Sequence, residues 1–281
     1  MRSSALGLPA LTLILTLPLQ AGTRQERHTL KLKSGGTLQV TTHNSDIQVS
    51  GWDKEEVSLV ADIHDRENRP VVLKVLPGTG ERVEIEAVFP DHSWSSFHFG
   101  RGPSCHLTLQ VPKRLVGSFK TSNSRIDARN TGGTLEFRTS NGRVELMGLS
   151  GDIEARTSNS KVIVHNLEGD FRGSTSNGSL ELEGVTGGVD FSTSNGSIHA
   201  SGLDGRGKGI KLRTSNGSVT VDLGKATGEI RARTSSHDKV KVERRGFELI
   251  DMNRGNDVRL RLPGSSQTID LATRNGSITL R

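Results

Sequence analysis

The feature that most constrains this chain is a short phrase, Thr-Ser-Asn followed by a small residue, that recurs along its second half. The phrase or a variant of it starts at Thr121, Thr139, Thr157, Thr175, Thr193, Thr214, Thr234 and, in a diverged copy, Thr273. The intervals between these starting positions are 18, 18, 18, 18, 21, 20 and 39. A unit of this length is too short to bury a core by itself, so the units must stack on one another.

Apolar residues alternate with polar ones inside each unit. Val144 and Leu146 share one face of a predicted strand, and Ile153 and Ala155 share one face of the next. A period of two is typical of strands. Two turns separate the strands: the phrase itself and a looser turn that contains glycine. Beyond position 21 no helical periodicity is visible, and the predicted fold class is all-β.

Two architectures fit such a unit. In an antiparallel meander, each Asn-Gly would close a hairpin. In a β-solenoid built from 18-residue two-strand coils, equivalent residues stack about 4.8 Å apart. Only stacking explains a phrase repeated letter by letter, because an asparagine side chain can then hydrogen-bond to the asparagines above and below it. The sequence therefore favours the β-solenoid.

We interpret the phrase as a corner of the coil. Asparagine tolerates a positive φ and glycine adopts one at no steric cost, so we expect left-handed backbone at these two positions. The corner asparagines are predicted to form a structural turn ladder and to have no direct ligand role. They are Asn123, Asn141, Asn159, Asn177, Asn195, Asn216 and Asn275.

The predicted organisation has three parts. Residues 1–21 form a signal peptide, residues 22–112 a less regular N-terminal β region with one degenerate repeat between Leu38 and Val49, and residues 113–281 the solenoid repeats. Further strands in the N-terminal region are predicted at Val57–Ile63, Val71–Leu76, Arg82–Val88 and Leu107–Val111. The last strand, which stops at Arg281, is expected to leave an open edge that could pair with a partner.

Residues 1–21 have the pattern of an export signal, with Arg2 before an apolar run and Ala21 at the cleavage site. The protein is therefore expected in the periplasm, at the cell surface or outside the cell, and no other segment is apolar enough to span a bilayer. Cys105 is the one cysteine of the chain, so no intramolecular disulfide can form and stability must come from packing.

The stretch "LTLQVPKRLVGSFKTSNSRIDARNTGGTLEFRTSNGRVEL", from Leu107 to Leu146, resembles the bacterial putative adhesin family, which is built on a domain of unknown function with TSNG-type strand repeats. The resemblance extends from about Leu30 to Arg281. It implies an exported, solenoid-like protein of the cell envelope or cell surface that acts as a non-catalytic adhesin-like binding or scaffold module. It supplies no catalytic residues.

Catalytic and metal-binding patterns are weak in this sequence. No Gly-x-Ser-x-Gly and no His-Glu-x-x-His occurs. The alternative function is a polysaccharide-degrading β-helix enzyme, with acidic side chains along one face; the candidates are Asp127, Glu145, Glu181 and Asp222. One cluster has zinc-ligand residue types, but its spacing matches no established ligand pattern; it contains Asp91, His92, His98, Cys105 and His106. We predict no enzyme activity, no metal and no cofactor.

Basic residues flank the phrase on both sides. Lys120, Arg138 and Arg156 precede its first three copies, and Arg125, Arg143 and Lys161 follow them. Stacked coils would align these residues in rows that could bind an anionic envelope polymer or surface polysaccharide. An envelope protein is the other predicted partner, and no specific nucleic acid is expected. The competing interpretation is a solvated face in which Glu136, Glu154 and Asp190 balance the basic charges.

Overall fold

The structure is a computed structural model, and it describes residues 22–65, 70–78, 80–90, 103–204, 209–224, 227–235, 239–243, 245–264 and 267–281. Within these ranges the regular structure consists of β-strands, which confirms the predicted all-β class. The predicted signal peptide lies outside the described residues.

Six strands form the N-terminal region, and they are β1 (Thr23–Thr42), β2 (Ser45–Trp52), β3 (Glu56–His64), β4 (Val72–Pro77), β5 (Gly80–Val88) and β6 (Ser104–Pro112). They include all four strands that the sequence predicted there. The regular repeats contain β7 (Arg114–Lys120), β8 (Ile126–Arg129), β9 (Gly132–Arg138), β10 (Val144–Arg156), β11 (Val162–Glu168), β12 (Phe171–Thr175), β13 (Leu180–Val185), β14 (Val189–Thr193), β15 (Ile198–Leu203), β16 (Ile210–Thr214) and β17 (Val219–Val221). The C-terminal region contains β18 (Gly228–Arg233), β19 (Val240–Val242), β20 (Glu248–Asn253), β21 (Asp257–Leu262), β22 (Thr268–Ala272) and β23 (Ile278–Leu280).

The repeats pair in parallel, each residue with the one 18 positions further along in the first coils and 21 positions further along from β14 to β16 and from β15 to β17. Val144 is opposite Val162, and Val162 is opposite Leu180. The strands that follow a phrase make up one face, which we call the trailing face: β8, the first half of β10, β11, β13, β15 and β17. The strands that precede a phrase make up the leading face: β7, β9, the second half of β10, β12, β14 and β16. Hydrogen bonds join both faces into a single sheet, because β1 and β10 run through both.

The core lies between the two faces and follows the predicted alternation. Val144, Leu146, Ile153 and Ala155 are all buried, as predicted from the period of two. Consecutive coils place similar side chains on top of one another, so the rings of Phe119 and Phe137 stack with their centroids 5.3 Å apart.

The looser turn requires left-handed backbone. Asn130, Gly148, Asn166 and Gly184 occupy equivalent positions in consecutive coils, with φ between 53° and 68°. A Cβ placed on Gly148 would lie 2.9 Å from the Asn130 side-chain oxygen, so glycine is needed where the asparagine below covers the position. Asparagine and glycine therefore alternate through these four coils, and Gly202 then follows Gly184 in the next coil.

The degenerate N-terminal repeat stacks directly on the regular ones. The second half of β1 pairs in parallel with β7, and β2 pairs in parallel with β8. The segment from β3 to β6 is an excursion between these two coils: β3 and β6 extend the trailing face, and β4 and β5 extend the leading face.

The last coil of the sequence is not the last coil of the stack. β22 lies between β16 and β18, and β23 lies between β17 and β19. The expectation that the final strand leaves an open edge is therefore wrong. After β17 the chain first forms β18 and β19, which leave room for one coil, and then the antiparallel pair of β20 and β21 next to β18. It then returns, and β22 and β23 fill the space between the two earlier coils.

Candidate functional site

The asparagines of the phrase form a continuous side-chain ladder along one corner. Each Nδ2 donates to the Oδ1 of the asparagine in the coil below, over distances of 2.6–2.8 Å. The ladder runs through Asn44, Asn123, Asn141, Asn159, Asn177, Asn195, Asn216 and Asn275. A hydrogen bond of this kind contributes about 0.5–1.5 kcal/mol.

The threonine that opens the phrase fastens one corner to the next, and it is buried in every copy except that of Thr234, which is half-buried. The Oγ1 of Thr157 donates to the carbonyl of Gly142 at 3.1 Å, and the Oγ1 of Thr193 donates to that of Gly178 at 2.9 Å. The same hydroxyl can also close its own corner, since the N–H of Gly142 donates to the Oγ1 of Thr139 at 3.1 Å.

The expected left-handed backbone at the corner is wrong. Asn141 and Gly142, like the equivalent residues of the following coils up to Gly217, are not among the positions with positive φ; Gly276 in the C-terminal coil, with a φ of 156°, is the exception. Glycine is needed at position 142 for a different reason: a Cβ there would lie only 1.6 Å from the carbonyl oxygen of Ser124 in the coil below. Close stacking of the corners, and not turn geometry, selects the residue.

Lys120, Arg138 and Arg156 occupy directly opposite positions on β7, β9 and β10. Their side chains are 39%, 44% and 48% exposed. We call this set the leading basic row. It ends at Ser174 and Ser192, which continue the same register.

Arg125, Arg143 and Lys161 form a second set on the other side of the ladder, the trailing basic row. Each lies one residue before a strand of the trailing face. Their backbones are stacked, because the N–H of Ile126 donates to the carbonyl of Arg143 and the N–H of Val144 donates to that of Lys161. The structure thus brings all six predicted basic residues to the two sides of one corner.

Each of the six basic side chains also contacts a carboxylate. Lys120 and Arg138 contact Glu136, the first at 3.7 Å, and Arg156 contacts Glu154. In the trailing row the ion pairs are Arg125 with Asp46 at 3.4 Å and with Asp127 at 3.5 Å, Arg143 with Glu145 at 3.2 Å, and Lys161 with Glu181. The Lys161 hydrogen bond lowers the pKa of Glu181. The rows are therefore partly neutralised, as the competing interpretation expected of Glu136 and Glu154.

An open groove lies along the leading basic row. The three basic side chains line one side of it, and hydroxyl residues of the corner line the other, among them Ser140, Ser158 and Ser176. These serines are not among the binding residues that the sequence predicted. Stacking at the spacing of the coils is the signal that would have placed them beside the arginines.

The acidic residues proposed for catalysis do not come together. Asp127 and Glu145 are neighbours in register, but Ile163 separates Glu145 from Glu181. Asp222 accepts a hydrogen bond from the N–H of Gly224 in its own turn. Burial raises the pKa of Asp127, although the Arg125 charge opposes that shift.

Three members of the predicted zinc-like cluster, Asp91, His92 and His98, lie outside the described residues. Cys105 and His106 are adjacent on β6, so their side chains project from opposite faces. Burial raises the pKa of the Cys105 thiol to about 11. Within the described ranges, no three histidine, cysteine or acidic side chains are grouped to hold a metal ion.

Comparison with known proteins finds similarity only at the level of solved structures; no family model and no curated protein matches the chain. A putative adhesin of Bacteroides fragilis is 13% identical, with a TM-score of 0.46 over 92% of this chain and 97% of the other. A putative adhesin of Parabacteroides merdae is 9% identical, with a TM-score of 0.38 over 93% and 97%. A putative lipid binding protein of Parabacteroides distasonis is 16% identical, with a TM-score of 0.32 over 92% and 96%. Adhesin is also the name of the family that the sequence resembles.

The part of the chain that the structure describes contains no helix that is long and apolar enough to cross a membrane.

Proposed function

We propose that this protein is an exported β-solenoid of the bacterial envelope or cell surface, and that it acts as a non-catalytic, adhesin-like module that binds an anionic polymer. Parallel pairing at offsets of 18 positions, and of 21 where the looser turn is longer, supports the solenoid. We also propose the division of the chain that the sequence predicts, with a less regular N-terminal β region at residues 22–112 and the solenoid repeats at residues 113–281.

The groove beside the leading basic row is the observation that carries the binding function. It offers positive charge from Lys120, Arg138 and Arg156, and hydroxyl groups from the corner serines, at the repeat distance of the coils. A polymer with regularly spaced carboxylate, sulfate or phosphate groups can contact several coils at once. Each contact is weak, but contacts along one chain add up.

The ion pairs to Glu136 and Glu154 do not remove this capacity. Exposed ion pairs contribute only about 0–1 kcal/mol, so a polymer anion can replace them at small cost. Each guanidinium also has five N–H donors, more than one carboxylate can use. A binding role needs only exposed and periodic charge. Catalysis would need convergent acidic groups, and of the four candidate carboxylates only Asp127 and Glu145 are neighbours.

The test is retention on heparin, a sulfated polysaccharide, at low salt. The triple variant Lys120→Glu, Arg138→Glu and Arg156→Glu, which reverses the three basic charges of the groove, should lose retention while its far-ultraviolet circular dichroism stays unchanged. A matched control replaces by glutamate three exposed, ion-paired lysines that lie outside the groove, Lys33, Lys54 and Lys113. Retention by this control should persist and should decrease steeply with salt. Equal retention by both variants would contradict the assignment of the groove.

A further inference from the structure

The exposed apolar side chains of this protein are concentrated on two strands. Of the six large apolar residues that are exposed within the described ranges, five lie on β4 or β20; Val116 is the sixth. On β4 these are Val72 and Leu76, and on β20 they are Leu249, Ile250 and Met252, with exposures from 41% to 62%. Exposed apolar patches of this kind mark interaction surfaces.

The two strands are the opposite ends of the leading face. β4 pairs only with β5, and β20 pairs only with β21, among the described strands. Each therefore presents one unpaired row of backbone N–H and C=O groups, which is a template for another strand.

The direction of the two strands determines how they can meet. From β5 through to β18, all neighbouring strands of the leading face are parallel. β4 is antiparallel to β5 and therefore runs against this direction. β20 is antiparallel to β21, which is itself antiparallel to β18, so β20 runs with it. When two copies are stacked end to end in the same orientation, β20 of one copy meets β4 of the next in antiparallel orientation.

The side chains agree with this pairing in one register. Met252 is opposite the buried Val258 and thus faces the core side, while Asp251 is opposite Arg259 on the outer side. On β4, Leu73 packs against the core and Lys74 lies on the outer side, opposite Glu86. Placing Lys74 opposite Asp251 also places Leu73 opposite Met252, which joins unlike charges outside and apolar groups inside.

We propose that copies of this protein associate head to tail through antiparallel pairing of β20 of one copy with β4 of the next. Such a contact is heterologous and leaves a free β4 and a free β20 at the ends, so it extends into filaments. The partner is a second copy of the same chain. Asp251 has no ion-pair partner among the described residues and is available to Lys74 of the next copy.

The experiment measures mass by light scattering as the concentration of the purified protein is raised. The wild-type mass should rise beyond that of a dimer. Lys74→Asp and Asp251→Lys should each remain monomeric, because each places like charges at the junction. An equimolar mixture of the two variants should again give a mass beyond that of a dimer, because β20 of each variant meets a β4 of opposite charge on the other variant, so that the two can alternate along a filament. Lys54→Asp, which makes the same charge change in a turn, should associate like the wild type.

A wild-type protein that stays monomeric at every concentration would overturn the proposal. So would association that both single variants retain, since the contact would then involve another surface. Failure of the mixture to associate, with both variants folded by circular dichroism, would also overturn it. None of these outcomes depends on heparin binding, so this inference and the proposed function are tested separately.

Discussion

Asn275 donates a hydrogen bond of 2.6 Å to Asn216, a residue 59 positions earlier in the chain. The other regular steps of the ladder join residues that are only 18 or 21 positions apart. The long step exists because the C-terminal coil occupies a gap between two coils that were laid down before it. β23, the last strand of the described chain, therefore lies between two strands that precede it in the sequence.

We expect the C-terminal strand to be as important to stability as a central strand. Ile278 is fully buried between Val219 and Val240. Ile278→Ala should therefore reduce the free energy of unfolding by about 2–5 kcal/mol, as is usual for a large buried side chain. Urea titration measures this loss.

The control for this prediction is Thr279→Ala on the same strand. Thr279 points away from the core and is only partly buried, so its replacement should cost little. Equal effects of the two substitutions would show that β23 is an exposed edge and would contradict the central position.

The C-terminal coil should also become less stable in acid. Asp270 on β22 contacts Arg213 on β16 at 2.8 Å and Arg233 on β18 at 2.9 Å. Burial alone would raise the pKa of Asp270, but hydrogen bonds from the two guanidinium groups outweigh it and hold the pKa below its usual value. A lowered pKa means that the stabilisation is present above the unfolded value of about 3.9 and is lost as the pH falls through the folded value.

Asp270→Asn should therefore lower the melting temperature at neutral pH, and the difference from the wild type should shrink below about pH 4. Asp152→Asn provides the control, because that carboxylate is exposed on β10, has no ion pair within the described residues and lies outside the proposed junction. A difference that stays constant down to pH 2 would mean that the Asp270 charge is not responsible.

Much of the repeat was predictable because two periods are written in the sequence. The period of two determined which residues are buried, as at Val144 and Leu146, and the period of 18 determined which residues are neighbours. Both periods depend only on backbone geometry, which every coil shares.

The order of the last coils could not be predicted in the same way. A phrase at Thr273 indicates that this segment is a coil, but similar coils can stack in more than one order. The corner glycine was misinterpreted for a related reason: Gly142 is followed by alternating residues as in a hairpin, while the group that excludes a side chain there, the Ser124 carbonyl, belongs to another coil. Contacts between coils are not visible in a local pattern.

The proposed solenoid makes one prediction that the meander does not share. Deleting Thr121–Arg138 removes one full period of the repeat and joins Lys120 to Thr139. Phe119 then lies beside Ala155, as Phe137 does now, and Asn141 can bond to Asn44 as Asn123 does now. Since each coil contacts mainly its two neighbours, the shortened protein should fold with the same circular dichroism and a melting temperature within about 5 °C of the wild type.

Deleting only Thr121–Arg129 removes half a coil, so that every later strand is displaced to the wrong face, and this variant should show no cooperative unfolding transition. Thermal unfolding followed by circular dichroism compares the two. If they unfold alike, the coil is not the structural unit and the proposed solenoid is wrong.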